Sequence, residues 1–447
     1  MTAAGSLPCD QVSEEWDAQF VASVSQEGDL WLDPWLTVDH PAADAIVARI
    51  MAHYAVDLAP TRRRRLTSAQ TQDIETAARI IVANLALVGM KGSKRSAVVV
   101  SRQANHSKRT RYDSPRVATL HGVLEQLAAT FESGGAISLT VSRERGRAST
   151  MSAGRGVRSE LAAVDEGAFF RLPGREVVLL RHRAASTRGR TTAAEPVDYP
   201  ETNHTRTLRT DVVRVNEMIR GATISLLGDP EGRPAGPAPQ LYRSFVCPSA
   251  ADVRFDLGGR LFGGWWQSLP RARRNDIRLD GEPIADLDFS SMFLRLAYLE
   301  AGVEPPAGDL YADVRGLEDP KWREGVKQVA SALLFRTTPM IRLPKDMGEK
   351  VPPGMTGGDV RKRLLERHPK LATVFETGCG LRLMWRESEV LMAALLALAD
   401  AGVSVLPMHD GLMVAASKAN EATNAMEAAS FSVLGFRLPI ALKTLGD

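Results

Sequence analysis

The chain has 447 residues, 44% of them hydrophobic and 24% charged, with a formal net charge of +3. That composition excludes a disordered or fibrous protein, and the length exceeds one ordinary core, so two or three domains are expected. No apolar run reaches the roughly 18–20 residues that span a bilayer, the N-terminus lacks a signal-peptide pattern, and Cys9, Cys247 and Cys379 form neither a zinc pattern nor a disulfide framework. A reducing, cytoplasmic compartment is expected, with no membrane partner.

Residues 1 to about 40 are acidic and aromatic (Trp16, Trp31, Trp35) and broken by Pro and Gly, which fits an arm packed on another part of the chain. From Pro41 to Met90 apolar residues recur at helical spacing: Ala43, Ile46, Val47, Ile50 and Met51, then Ile74, Ala77, Ile80 and Ile81 behind a Thr67 or Ser68 cap. A helix with Leu120, Val123, Leu124, Leu127 and Ala128 on one side ends at Gly134-Gly135. Alternation follows at Ile137, Leu139 and Val141, then a basic turn from Arg143 to Arg147, then a second strand over Ser149–Ser152. Helix plus basic hairpin has the outline of a winged helix, a DNA-contacting element. Residues 185–210 read as a polar, basic linker. Leu208–Leu227 reads as a helix with Val212, Val215, Met218 and Ile219 in a stripe and Arg206, Arg209, Arg214 and Arg220 off it. Gly and Pro from Gly228 to Pro239 mark a boundary. The expected domains are therefore 1–110, a helical region; 111–184, a winged-helix-like α+β module; 185–240, a linker and long helix; and 241–447. Basic runs at Arg62–Arg65, Lys91–Arg95, Lys108–Arg111 and Arg271–Arg274 could track a phosphate backbone, although each alone reads as a solvated face.

The last two hundred residues carry the densest pattern. Ile284–Phe289 alternates as a strand, Met292–Ala301 and Trp322–Phe335 read as helices, and so does the Ala/Leu-rich Glu389–Ala401. Val403–Met408 and Leu412–Ala415 read as a hairpin with His409-Asp410-Gly411 at its turn. Two apolar runs thus end in an acid, Asp288 and Asp410. Brought together, they would make a site for two divalent cations, and paired metals about 3.5–4 Å apart clamp the attacking and leaving oxygens of a phosphoryl transfer. Asp286, on the same strand face, is the rival ligand, and Asp-Gly is also ordinary turn chemistry.

These segments resemble the polymerase domain of family A DNA polymerases, the group of bacterial DNA polymerase I. That family's first motif reads Asp-Tyr-Ser-x-x-Glu-Leu-Arg, and Asp288, Phe289, Ser290, Leu294 and Arg295 fall on it in register. Its third motif, Val-His-Asp-Glu, is matched by Met408-His409-Asp410-Gly411. On its fingers helix an Arg is followed at four-residue steps by Lys, an aromatic and Tyr; here Arg323, Lys327, Ser331 and Phe335 stand there. Gly259-Arg260-Leu261, Trp266-Gln267-Ser268-Leu269-Pro270 and Asp309-Leu310-Tyr311 match flanking fragments. The resemblance covers about Gly258 to Val414.

The resemblance implies an α+β right-hand fold: a palm with an antiparallel sheet and short fingers in 241–447, and a helical thumb in the Arg206–Arg220 helix. It implies a DNA polymerase that extends a primer with dNTPs by two-metal-ion catalysis on two Mg²⁺ ions, with Mn²⁺ as a substitute. Asp288, Asp410 and the Phe289 carbonyl would hold the metals. Lys327 would be catalytic as proton donor to pyrophosphate, and Arg323, Lys327, Phe335 and Phe293 would bind the nucleotide. Arg260, Gln267, Arg295 and His409 would contact DNA. Primer-template DNA, dNTPs and other replication or repair proteins are the implied partners, with a nucleoid-associated location. No exonuclease signature precedes Asp286, so no proofreading is expected. Four positions depart from the family: Phe293 replaces the Glu that crowds the sugar 2′ position, Ser331 the mid-helix aromatic, Arg336 the Gly, and Gly411 the acid after Asp410. Phe293 could block a 2′-hydroxyl or relax sugar choice, which keeps an RNA-synthesising enzyme of the same fold as an alternative. A non-catalytic DNA-binding replication initiator is the other.

Overall fold

The computed structural model describes residues 30–54, 65–89, 97–100, 137–141, 149–182, 195–227, 239–344, 347 and 349–443, with a few more between 111 and 124. They form a mixed α+β protein of several sheets and helices in two compact units, 30–176 and 177–443. Among the described residues no helix is long and apolar enough to cross a membrane, and Cys247 and Cys379 are buried free thiols.

In the smaller unit, helix Pro41–His53 and helix Ser68–Gly89 bury the expected stripes, including Ile46, Ile50, Ile74, Ala77 and Ile81. Asn84, fully buried, satisfies the backbone N–H and carbonyl of Asp33 with its side-chain amide. The main sheet runs in the order Leu30–Trp31, Val98–Val100, Ser149–Ala153, Ile137–Thr140. The last two strands pair antiparallel, as the alternation implied. Val98–Val100 pairs with Ser149–Ala153, however, so one sheet crosses the expected boundary between 110 and 111. A shared hydrogen-bonded ladder cannot be divided between independent modules. The arm up to residue 29, the basic turn from Arg143 to Arg147, most of the helix before it, and most of the basic runs at 62–65, 91–95 and 108–111 lie outside the described residues.

The boundary after 184 also moves. Strand Val178–His182 pairs in parallel with strand Tyr242–Cys247, within the larger unit. Gly258–Phe262 and Glu195–Pro196 complete that sheet. A second sheet, antiparallel throughout, runs Val405–Pro407, Gly411–Ala415, Glu282–Phe289, Ile277–Leu279, Ile224–Leu226, with Ile440–Lys443 also paired to Glu282–Phe289. Helix Asn203–Gly221 starts at a Thr202–Thr205 capping box. It ends earlier than expected, because the chain turns at Gly221 to form the Ile224–Leu226 strand. Its stripe Leu208, Val212, Val215 and Ile219 is buried, while Arg209 pairs with Glu201 and Arg214 with Asp400. Helix Gly380–Asp400 begins nine residues before the expected Glu389, since Leu383 and Met384 extend its buried face.

Candidate active site

The central strand Glu282–Phe289 carries Asp288 at its penultimate position, and strand Gly411–Ala415 lies antiparallel to it with Gly411 directly across from Asp288. Asp410 is therefore the residue beside Asp288's cross-strand partner, and the Phe289 N–H donates to the Asp410 carbonyl at 3.2 Å. Gly411 is required by this approach: a Cβ there would fall 2.2 Å from the Leu287 carbonyl oxygen. No acid fits at 411, which is a steric reason for the departure noted in the sequence. Past Phe289 the backbone turns sharply. Ser291 takes a left-handed φ of 51°, and its hydroxyl donates to Asp309 and accepts from the Leu310 N–H, both at 3.2 Å.

Both acids line a cavity of about 600 Å³, together with Lys327 and Arg323 from helix Arg323–Phe335, Lys443 from strand Ile440–Lys443, and Arg271 and Arg274 of the basic run. The Lys443 ammonium donates to Asp288 Oδ2 at 2.8 Å. Burial, and then the neighbouring Asp410, push the Asp288 carboxyl up to about 7, against Lys443 and Lys327. Burial works on Asp410 in the same sense, but Lys443, Lys327, Arg260 and His409 together hold it below the usual carboxylate range. Two like charges at close range cannot ionise with equal ease, so the pair keeps one acidic and one near-neutral proton equilibrium.

The structure brings Asp288, Asp410, Lys327, Arg323, Phe289 and Phe293 to one cavity. Arg323 is held in a two-point contact with the Asp309 carboxylate, whose Oδ1 accepts from its Nη2 at 3.1 Å; two sequence fragments thus meet. Phe335 does not line the cavity. Its ring stacks on Phe293, centroids 6.0 Å apart, and packs over Gly380, where a Cβ would lie 2.5 Å from the ring. The ring expected to stack on a base thus stacks on Phe293 in this structure.

The four residues expected to contact DNA make internal contacts in the structure. Arg295 is 2% exposed, and its guanidinium donates to the carbonyls of Ser290, Pro306 and Gly308 at 2.7–2.9 Å, tying the segment after the central strand to the loop at 306–308. Arg260 lines the cavity but is 4% exposed, with Nε donating to Glu387 at 2.7 Å and its guanidinium over the Phe293 ring. Gln267 donates to the Leu261 and Pro407 carbonyls and accepts from the Gly264 N–H. His409 packs against Phe262, and burial, followed by Arg260, pushes its imidazole down to about 3. Arg295, Arg260 and Gln267 thus bond to the protein's own groups, whereas His409 Nδ1 is buried without a hydrogen-bond partner. Neighbouring Trp266 is fully buried and donates to the Pro407 carbonyl at 2.9 Å, so it is core beneath the hairpin.

Two residues had no sequence signal. Lys443 is a lone lysine near the C-terminus, and Glu387 is one polar residue on a long helix. Glu387 is fully buried; burial, opposed by Arg260 and helped by Asp410 and Asp288, lifts its carboxyl to about 8.

The donor set fits a hard divalent cation. Asp288 Oδ1 is buried without a hydrogen-bond partner, an orphaned acceptor on a wall of the cavity. Among the described residues no three His, Cys, Asp or Glu side chains come together to hold a metal. Mg²⁺ is ordinarily held by one or two carboxylates plus substrate phosphates, and Asp288 with Asp410 meets that requirement.

No protein-family model and no curated protein matches the chain. Among solved structures it is similar to the POL domain of Pol1 from M. smegmatis in complex with DNA primer-template and dNTP. The match covers 91% of this chain and 66% of that one, at 11% identity and a TM-score of 0.31. The chain thus spans just under two-thirds of that structure's length.

Proposed function

We propose that the larger unit is a template-directed nucleotidyl transferase, a DNA polymerase that extends a primer 3′-hydroxyl with dNTPs without proofreading. Its antiparallel sheet would be the palm, helix Arg323–Phe335 the fingers, and helix Asn203–Gly221 the thumb. One observation carries this reading: Asp288, Lys327 and Asp410, from three distant segments, line a single cavity. That is the chemistry the ordered motifs imply.

Asp288, Asp410 and the Phe289 carbonyl would hold two Mg²⁺ ions, which supply charge stabilisation to the attacking and leaving oxygens. Lys327 lies within electrostatic reach of both acids. It would bind the triphosphate and give its proton to the departing pyrophosphate. Arg323 sits one helical turn earlier, on the same face, where it would meet the outer phosphates. Arg271 and Arg274 add positive charge on the cavity wall, a form of electrostatic preorganisation. Phe293, braced between Arg260 and Phe335, would form an apolar wall against the sugar, favouring dNTPs.

Primer extension with Mg²⁺, run with dNTPs and separately with rNTPs beside an Asp410→Asn control, tests the reading. DNA extension abolished by the substitution is expected. Extension with rNTPs alone would replace it by an RNA-synthesising enzyme, and DNA binding with no extension would replace it by a non-catalytic initiator.

A further inference from the structure

Beneath the two acids lies a third carboxylate that the proposed chemistry does not use. Asp286 is 1% exposed, and neither of its oxygens has a hydrogen-bond partner. Arg274 stands 3.7 Å away, beyond hydrogen-bonding distance. A buried carboxylate with no hydrogen bond is costly, and such a group in a folded core calls for a partner at some stage of the working cycle. The strand register supplies one. Lys443 is the direct cross-strand partner of Asp286, and directly opposed residues in an antiparallel pair have Cβ atoms about 4.5–5.5 Å apart. Yet the Lys443 ammonium reaches past Asp286 to the diagonal residue and bonds Asp288 at 2.8 Å. Lysine is suited to such a choice, since its ammonium is a compact charge on a flexible four-carbon stem.

We infer that Lys443 is a movable counter-ion, which holds Asp288 while no divalent ion is bound and transfers to Asp286 when an ion takes its place. The inference rests on the proposed ion site. With Asp286 as a second seat, the ammonium need not be expelled into solvent or left beside the incoming cation. Lys443 thus competes with the ion for Asp288, and Asp286 weakens that competition.

Mn²⁺ binding to the full chain, measured by titration without DNA or nucleotide, tests this through a double-mutant cycle. Lys443→Met removes the competitor and should tighten binding, on the order of tenfold; Asp286→Asn removes the second seat and should weaken it by a similar factor. Simple removal of charge predicts the same two signs, so the double variant decides. If Asp286 acts through Lys443, Asp286→Asn in the Lys443→Met background changes affinity less than about twofold. An equal loss in both backgrounds would overturn the inference and make Asp286 a direct contributor to the ion. A structure of the unaltered chain with Mn²⁺ gives a second readout that does not depend on the variants folding. An ammonium hydrogen-bonded to Asp286 supports the transfer, and one still on Asp288 overturns it. Failure of the unaltered chain to bind Mn²⁺ would remove the ion site itself, and with it both readings.

Discussion

The closest backbone approach in the site makes the sharpest prediction. Replacing Gly411 with alanine puts a Cβ 2.2 Å from the Leu287 carbonyl oxygen and 3.1 Å from the Asp288 Cα. Gly411 is not in the left-handed region, so the cost comes from the clash alone. Both opposing atoms are backbone of the central strand, and neither can rotate away. Relief requires the two strands to part by roughly 1 Å to restore ordinary contact. Overpacking of this kind costs about 1–3 kcal/mol, and each kcal/mol lowers Tm by roughly 2–4 °C in a unit of this size. Asp410 precedes Gly411 and moves with it, and a displacement of about 1 Å in a reacting constellation can cost on the order of 100-fold in rate. Gly411→Ala should therefore melt several degrees early and, at a temperature where it is fully folded, extend primers far more slowly. Gly156→Ala is the control, because nothing lies within 4 Å of its Cβ. A Gly411→Ala protein with unchanged Tm and full extension would show that the two acids do not meet across this pair.

Other substitutions separate folding roles from chemical ones. Arg295→Ala should destabilise the larger unit by about 1–3 kcal/mol, since three part-buried carbonyls lose a charged donor. Its DNA affinity, measured well below the melting temperature, should be unchanged. Divalent-ion affinity should rise with pH: Asp288 must lose a proton held up to about 7, so Mn²⁺ binding should strengthen roughly tenfold per unit below pH 7 and level off above it. Equal affinities at pH 6 and pH 8 would contradict this. Stability should run the other way. The Glu387 carboxyl, raised from 4.5 to about 8, binds its proton more tightly folded than unfolded. That contribution is fully present below about pH 4.5 and is lost as pH climbs to 8. Tm measured across pH 5.5–8 should fall, and Glu387→Gln should flatten the slope.

Asp288 and Asp410 were legible because strand periodicity and turn chemistry are local signals, and each acid ends an apolar run. The lining of the cavity by Lys327 and Arg323 followed from helical spacing for the same reason. Lys443 and Glu387 were not legible. Their importance depends on strand register and helix rotation against a neighbour, which no short window contains. The burial of Arg295 had a local clue. Every residue from Met292 to Tyr298 is buried, and a helix apolar on all sides lies inside the core. An arginine within it must spend its donors on the protein itself. The domain limits at 110 and 184 failed because Val98–Val100 and Val178–His182 pair with strands some fifty or more residues away. Composition marks linkers and is blind to pairing at that range.

The charges around the acids explain why the site is built with so little spare ligand capacity. Asp286, Asp288, Asp410 and Glu387 are buried close together, and Lys327, Lys443, Arg260 and Arg274 stand among them as counter-charges. Each fixed cation lowers the cost of burying a carboxylate but also lowers the attraction left for a metal ion. Arginines locked to one partner, as Arg260 is to Glu387, set that balance permanently. A lysine with two seats can set it conditionally, and Lys443 contacts Asp288 while its cross-strand partner is another carboxylate. Gly411 leaves no room for a further acid. The remaining coordination would therefore come from the phosphates of the incoming nucleotide, so ion affinity should rise further when substrate is present.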